Sequence, residues 1–296
     1  MSTRNDPLAA SDALARAGVL DRVFYATGVL LAADDFAAEQ TYHRGRLARA
    51  LAYLHGSGTI AGLRVVVTPA LAAGADPAFP QGREEELRVE AGLAVERRGR
   101  FIEIPRAACL RLDRWYQAED VDRLRTALHP AGVIVDVFVR YLTCDRGKTP
   151  AFAAGPFDAL DAVQPSRLRD AYDLTLVPRA EASPPLPDTG EIGAPPLPPA
   201  TDVAGRRAAL HEAILGGWRE GTDQWTEQGP VPLREHVPGQ DTTALFLARL
   251  VLPATAAPTA EARPVRTAGA VVTVDNDSRR FVYSAVALAR ALGITP

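Results

Sequence analysis

The residues of this chain that could do chemistry are few and poorly spaced for it. His43 and His55 are twelve positions apart, not the three or four that put two imidazoles on one helical face for a metal. His129, His211 and His236 stand beside no cysteine or acid pair at ligand spacing. His43 falls within an apolar stripe and is expected to hydrogen-bond at a packed helix face. The run Asp275–Asn276–Asp277–Ser278 begins like a calcium loop but lacks the sixth-position glycine and the twelfth-position bidentate acid. Asp34–Asp35 is better explained as helix capping than as a catalytic carboxylate pair, and Glu84–Glu85–Glu86 as a solvated charge run. Cys109 and Cys144 are expected to be reduced thiols behaving as small apolar side chains. No G-x-S-x-G, Walker loop or G-x-G-x-x-G is present. Gly56-x-Gly58 follows a helix and precedes a strand, the reverse of the dinucleotide-binding order. No cofactor or metal is therefore expected. Trp218 and Trp225 could bind a sugar or a partner, although packing explains such a pair as well.

Composition narrows the class. The 296 residues are 47% hydrophobic and 23% charged, enough apolar material for a sizeable core. The net charge of −3 supplies no global field for nucleic acid. Lys148 is the single lysine, so arginine carries the basic charge. The first residues lack a secretory signal's apolar core, and no run approaches a membrane span. The expectation is a soluble cytoplasmic chain with no direct membrane insertion.

The elements that would position these residues read as α+β. Residues 1–22 are expected to form a flexible polar arm. A helix is predicted over 34–54, with Asp34 as N-cap and Phe36, Gln40, His43, Leu47, Leu51 and Leu54 on one stripe. Gly56 and Gly58 stop it. The stripe is expected to pack on the strands that follow, leaving Arg44, Arg46 and Arg49 for a partner. Strands are predicted over 59–67, 87–90, 93–96 and 101–105, an antiparallel meander that could be a small sandwich or barrel. A short helix over 120–128, a strand over 133–141, a helical turn over 166–171 and a strand over 172–177 complete a domain spanning 23–177. Residues 178–199 hold eight prolines and read as an exposed linker or loop. A second, smaller α+β portion is expected over 200–296. It comprises a helix over 202–215, a strand over 244–252, a hairpin whose arms at 270–274 and 281–283 flank the Asp275–Ser278 turn, and a terminal helix over 284–292.

Several segments carry a family resemblance. Residues 25–65, YATGVLLAADDFAAEQTYHRGRLARALAYLHGSGTIAGLRV, resemble the opening of a bacterial family often encoded beside contractile, phage-tail-like injection particles. The likeness continues in LRVEAGLAVERRGRFIEIP (87–105), VDVFVRYLTCDRGKTP (135–150), PSRLRDAYDLTLV (165–177), LFLARLVL (245–252) and VDNDSRRFVYS (274–284). It implies a non-enzymatic particle component, either a cap adaptor or an accessory baseplate protein, contacting tube, sheath or baseplate subunits within an oligomeric assembly, with lysis as a route of release. It implies no active site. Arg279 and Arg280, beside the Asp-rich turn, join Arg44, Arg46, Arg49, Trp218 and Trp225 as interface candidates. The alternatives are a glycan- or ligand-binding module built on Trp218 and Trp225, and a hydrolase whose site is assembled from residues distant in sequence.

Overall fold

The computed structural model describes residues 21–150, 163–187, 201–223, 230–259, 261–291 and 293. The architecture is α+β, with antiparallel sheets throughout. The expectations for the arm at 1–20, for most of the Pro-rich stretch and for Trp225 lie outside the described residues.

Helix α1 (Ala33–His55) opens the fold. Its N-cap is Ala32 rather than Asp34. The Asp35 carboxylate reaches back to accept from the Ala32 N–H at 2.8 Å, which satisfies one of the free donors at the helix start. Gly56 ends the helix at φ 68°.

The single strand predicted over 59–67 is two strands. Leu63 has φ 55° and is fully buried, and this left-handed residue separates β1 (Gly58–Gly62) from β2 (Val65–Thr68). The next strands bend alike, as β3 (Glu86–Val89) into β4 (Gly92–Val95), and β5 (Phe101–Ile104) into β6 (Ala108–Arg111). Each bent pair serves two sheets, ordered β1-β4-β5 and β2-β3-β6. The corner is tight: a Cβ on Gly62 would lie 2.1 Å from the Ala91 carbonyl oxygen, so only glycine lets the backbones approach this closely.

Two short helices follow, α2 (Leu112–Ala118) and α3 (Val121–Thr126). Asp120 caps α3 by accepting from the Arg123 N–H at 3.0 Å. Then come β7 (Leu128–His129) and the 15-residue β8 (Gly132–Arg146). The two-residue strands β9 (Thr149–Pro150) and β10 (Val163–Gln164) lead into β11 (Arg167–Pro178). The helical turn expected at 166–171 is thus strand: β8 pairs with Arg167 through Pro178 without interruption, and this ladder overrides local helix propensity.

After the Pro-rich segment come α4 (Val203–Asp223), β12 (Leu245–Leu252), β13 (Ala254–Thr255), β14 (Val265–Arg266), β15 (Thr273–Asp275) and α5 (Ala285–Ala291). Helix α4 runs through Gly216–Gly217, where a stop was expected. The hairpin expected around Asp275–Ser278 does not form. β15 pairs instead with β12, while Phe281 bridges Thr59 in parallel. The turn itself forms, with the Asp275 carboxylate accepting from the Asp277 N–H at 2.8 Å and the Ser278 N–H at 3.2 Å.

The largest sheet runs β11-β8-β12-β15, with β7 on β8. Its β12 comes from the C-terminal portion and lies against β8. One core joins Leu63, Leu87 and Ile104 of the bent strands to Val135 and Val137 of β8 and Leu247 and Leu250 of β12. The Pro-rich segment therefore does not divide two cores. The C-terminal portion completes the sheet begun before it, because a strand with the near-continuous apolar pattern of β8 needs cover on both faces and a partner on each edge.

Candidate interaction surface

Helix α1 meets the body of the protein through its small residues. Gly45 and Ala48 are its buried positions, one turn apart on one face. Beneath them is the 97–100 turn. A Cβ on Gly99 would sit 1.7 Å from the Ala48 carbonyl oxygen, so the turn packs directly on the helix backbone. Arg44 also points inward, its Nη2 donating to the Tyr141 hydroxyl at 3.2 Å. That hydroxyl donates to Asp170 Oδ1 at 2.5 Å, and the Arg100 guanidinium lies 4.5 Å from the Tyr141 ring centroid. Burial, reinforced by the Asp170 hydrogen bond, pushes the Tyr141 phenol up to about 12. The tyrosine is thus a structural anchor for α1, not an acid or base near neutrality.

The apolar stripe of α1 faces the other way. Phe36 is 51% exposed, Leu47 56% and Leu54 76%, and Phe24 and Leu30 in the entry segment are more exposed still. The expectation that this stripe packs on the following strands is overturned: Phe36, Leu47 and Leu54 lie about 160–180° around the helix from Gly45, and of the stripe's leucines only Leu51 is half-buried. His43 is not in a packed face either. Its side chain is two-thirds exposed, with Nε2 3.7 Å from Glu39 Oε1. The signal that could have oriented the helix was the Gly45, Ala48, Ala52 series at spacings of three and four, since small residues allow the closest backbone approach.

Helix α4 repeats the pattern. Val203, Leu210 and Ile214 share one exposed face, flanked by Arg206, Arg207 and His211. The Asp202 side chain caps the helix start by accepting from the Gly205 N–H at 2.8 Å. The helix comes within 8 Å (Cα–Cα) of α1. Two neighbouring amphipathic helices thus each present an exposed apolar stripe, more apolar surface than scattered single residues would give.

The arginines singled out from sequence are dispersed. Arg44 is committed inward, Arg49 is half-buried, and Arg46 is exposed with its guanidinium 5.4 Å from the Tyr42 ring centroid. Arg279 is 2% exposed and is not a surface residue. It donates from Nη1 to the Leu63 carbonyl at 2.7 Å and from Nε to the Asn276 carbonyl at 2.9 Å, and its Nη2 bonds Asn276 Oδ1. Asn276 in turn accepts from the Val65 N–H and donates to the Val65 carbonyl, each at 2.9 Å. This pair holds the left-handed corner at Leu63, and burial pushes the Arg279 guanidinium down to about 10, still protonated at neutral pH. Arg280 is largely buried, with Nη2 3.7 Å from Glu235 Oε1. The Trp218 side chain and Trp225 lie outside the described residues.

The densest cluster of charge is buried and was not visible in sequence. Asp136, fully buried in β8, accepts from Arg249 Nε at 2.7 Å and Nη2 at 2.9 Å, and from Arg179 Nη1 at 2.9 Å. Arg179 also reaches Glu181, and Arg249 donates to the carbonyls of Pro184 and Pro185 at 2.8 and 3.1 Å. These contacts fasten the start of the Pro-rich segment across the large sheet. With every oxygen of Asp136 engaged by guanidinium, the cluster is a clamp. Nearby, His236 accepts at Nδ1 from the Leu233 N–H and bonds the Ala244 carbonyl through Nε2, both at 2.9 Å. Only the neutral Nε2–H tautomer makes both bonds.

Among the described residues no group of three or more His, Cys, Asp or Glu could hold a metal ion, and no helix is long and apolar enough to cross a membrane. Comparison of the sequence with protein-family models gave no match, and comparison with curated proteins gave no relative.

Proposed function

We propose that this chain is a structural or adaptor subunit of a phage-tail-like contractile injection particle, non-enzymatic and acting through protein–protein interfaces. The observation that carries the reading is the outward apolar stripe of α1, held on a rigid base by Gly45, Ala48 and Gly99. An amphipathic helix whose apolar face points to solvent is a ready anchor for a partner groove or helix. It lies within the segment that most resembles the particle-associated family. Assembly takes place in the cytoplasm, with tube, sheath or baseplate subunits as partners.

Size-exclusion chromatography with purified tube, sheath and baseplate subunits of a contractile injection particle tests the reading. Co-elution with one of them is expected. A Phe36→Ser/Leu47→Ser/Leu54→Ser variant should lose it while keeping its melting temperature, because all three side chains are exposed in the isolated chain. Failure to co-elute with any of them, or co-elution untouched by the triple substitution, sinks the proposal.

A further inference from the structure

β8 and β11 leave the body of the protein as a two-stranded ribbon. β12 pairs with β8 only as far as Val139, opposite Leu245. Beyond that point β8 is hydrogen-bonded, among the described residues, to β11 alone, and β9 with β10 continue the ribbon to the Pro150–Val163 pair. From Asp145 to Pro150, and from Pro165 to Asp170, every residue is exposed. An isolated two-stranded ribbon is marginally stable in water, and its open edges offer unpaired backbone N–H and C=O groups.

One face of this ribbon changes character along its length. Even-numbered residues of β8 share that face with the β11 residues directly opposite. Within the body each arginine there meets a carboxylate. Asp136 takes Arg249 and Arg179, and Arg140 lies opposite Asp173, 2.9 Å away, with Asp241 at 3.9 Å. Out on the ribbon the pairs are Cys144 with Arg169 and Arg146 with Arg167. Arginine stands where the pattern inside the body puts an acid, and two arginines oppose each other directly, an arrangement that disfavours the isolated ribbon. The guanidiniums of Arg146, Arg167 and Arg169 have no ion pair or hydrogen bond among the described residues. The nearby acids, Asp145 and Asp170, are on the opposite face, where Asp170 is engaged by Tyr141.

We infer that this ribbon is a strand-addition site, at which an extended acidic segment of another polypeptide pairs with the outer edge of β11 and sets its carboxylates against Arg167, Arg169 and Arg146. Arg167 and Arg169 are two residues apart on one strand, about 7 Å, the spacing of alternate side chains on an added strand. A polypeptide fits better than a nucleic acid because only a polypeptide backbone answers the open N–H and C=O groups of a strand edge.

Fluorescence polarisation with a fluorescein-labelled Glu–Thr repeat decapeptide, at about 50 mM salt to limit screening, tests this. The full chain should bind it saturably. Arg167→Glu/Arg169→Glu should weaken binding about tenfold, the scale of two exposed ion pairs. Arg167→Gln/Arg169→Gln, which adds no new charge, should weaken it severalfold and covers the case in which the reversed variant does not fold. The same peptide N-methylated at alternate residues should not bind, because strand addition needs its amides. The inference fails if the Glu–Thr peptide does not bind, if both variants bind it like the parent, if the N-methylated peptide binds equally, or if a single-stranded oligonucleotide of equal charge binds more tightly.

Discussion

Gly99→Ala asks how α1 is held. Gly99 has φ 80°, and an added Cβ would lie 1.7 Å from the Ala48 carbonyl oxygen and 2.5 Å from its carbon. The left-handed conformation costs alanine about 1 kcal/mol. The clash cannot be relieved by a rotamer, because the obstructing atoms are helix backbone. α1 must retreat by about 1.5–2 Å to restore ordinary contact, which forfeits close dispersion contacts along Gly45 and Ala48. It also stretches the 3.2 Å bond from Arg44 to Tyr141 out of range, a further loss of about 1 kcal/mol. Together these amount to roughly 2–4 kcal/mol for holding the helix, and they act on α1 before the sheet. Native-state hydrogen exchange should show α1 amides losing roughly 30- to 1,000-fold in protection, at tenfold per 1.4 kcal/mol. Amides of β8 over 133–139 should barely change. Gly74→Ala is the control: it has φ 77° and open space around its Cβ, so it carries the strain without the clash. If Gly99→Ala leaves α1 protection unchanged, or lowers α1 and β8 equally, the docking argument is wrong.

The clamp and the buried histidine give two more expectations. Asp136→Asn leaves the Arg249 and Arg179 guanidiniums without their shared counter-charge in the interior. It should cost about 3–5 kcal/mol, near the lower end because Glu181 still pairs with Arg179; a loss of unfolding free energy under about 1 kcal/mol in urea titrations would mean that the sheet tolerates the unpaired charges. Burial holds the His236 imidazole below its ordinary 6.5, against the pull of the Ala244 carbonyl and the Glu235 charge. The unfolded chain therefore takes up the proton first, so stability is complete above about 6.5 and declines as pH falls below it. Urea midpoints measured from pH 8 to pH 5 should show this decline in the parent and a shallower one in His236→Asn; equal slopes would assign the acid sensitivity elsewhere.

The sequence by itself determined the kinds of elements. The 3.6-residue period and glycine stop marked α1 to within a residue or two of its limits, since helix signals are local and carried by spacing. The β-branched run at 133–141 marked β8 for the same reason, and the Asp-rich turn at 275–278 was legible from side chains that bond their own backbone. What surrounds each element was decided by tertiary structure. The stripe of α1 announced amphipathicity but not which face is the inner one, because Gly99 sits some fifty positions from the helix residues it touches. Leu63 splits one predicted strand in two because Arg279 and Asn276, over two hundred residues later, hold its corner. Residues 167–171 lean locally towards helix and became strand only through the β8 ladder. The buried Asp136 cluster joins three distant segments, and no spacing in a single chain reports such a meeting. For the same reason, the sequence named arginines as the interface of α1 while the fold turned Arg44 inward and left Phe36, Leu47 and Leu54 outside.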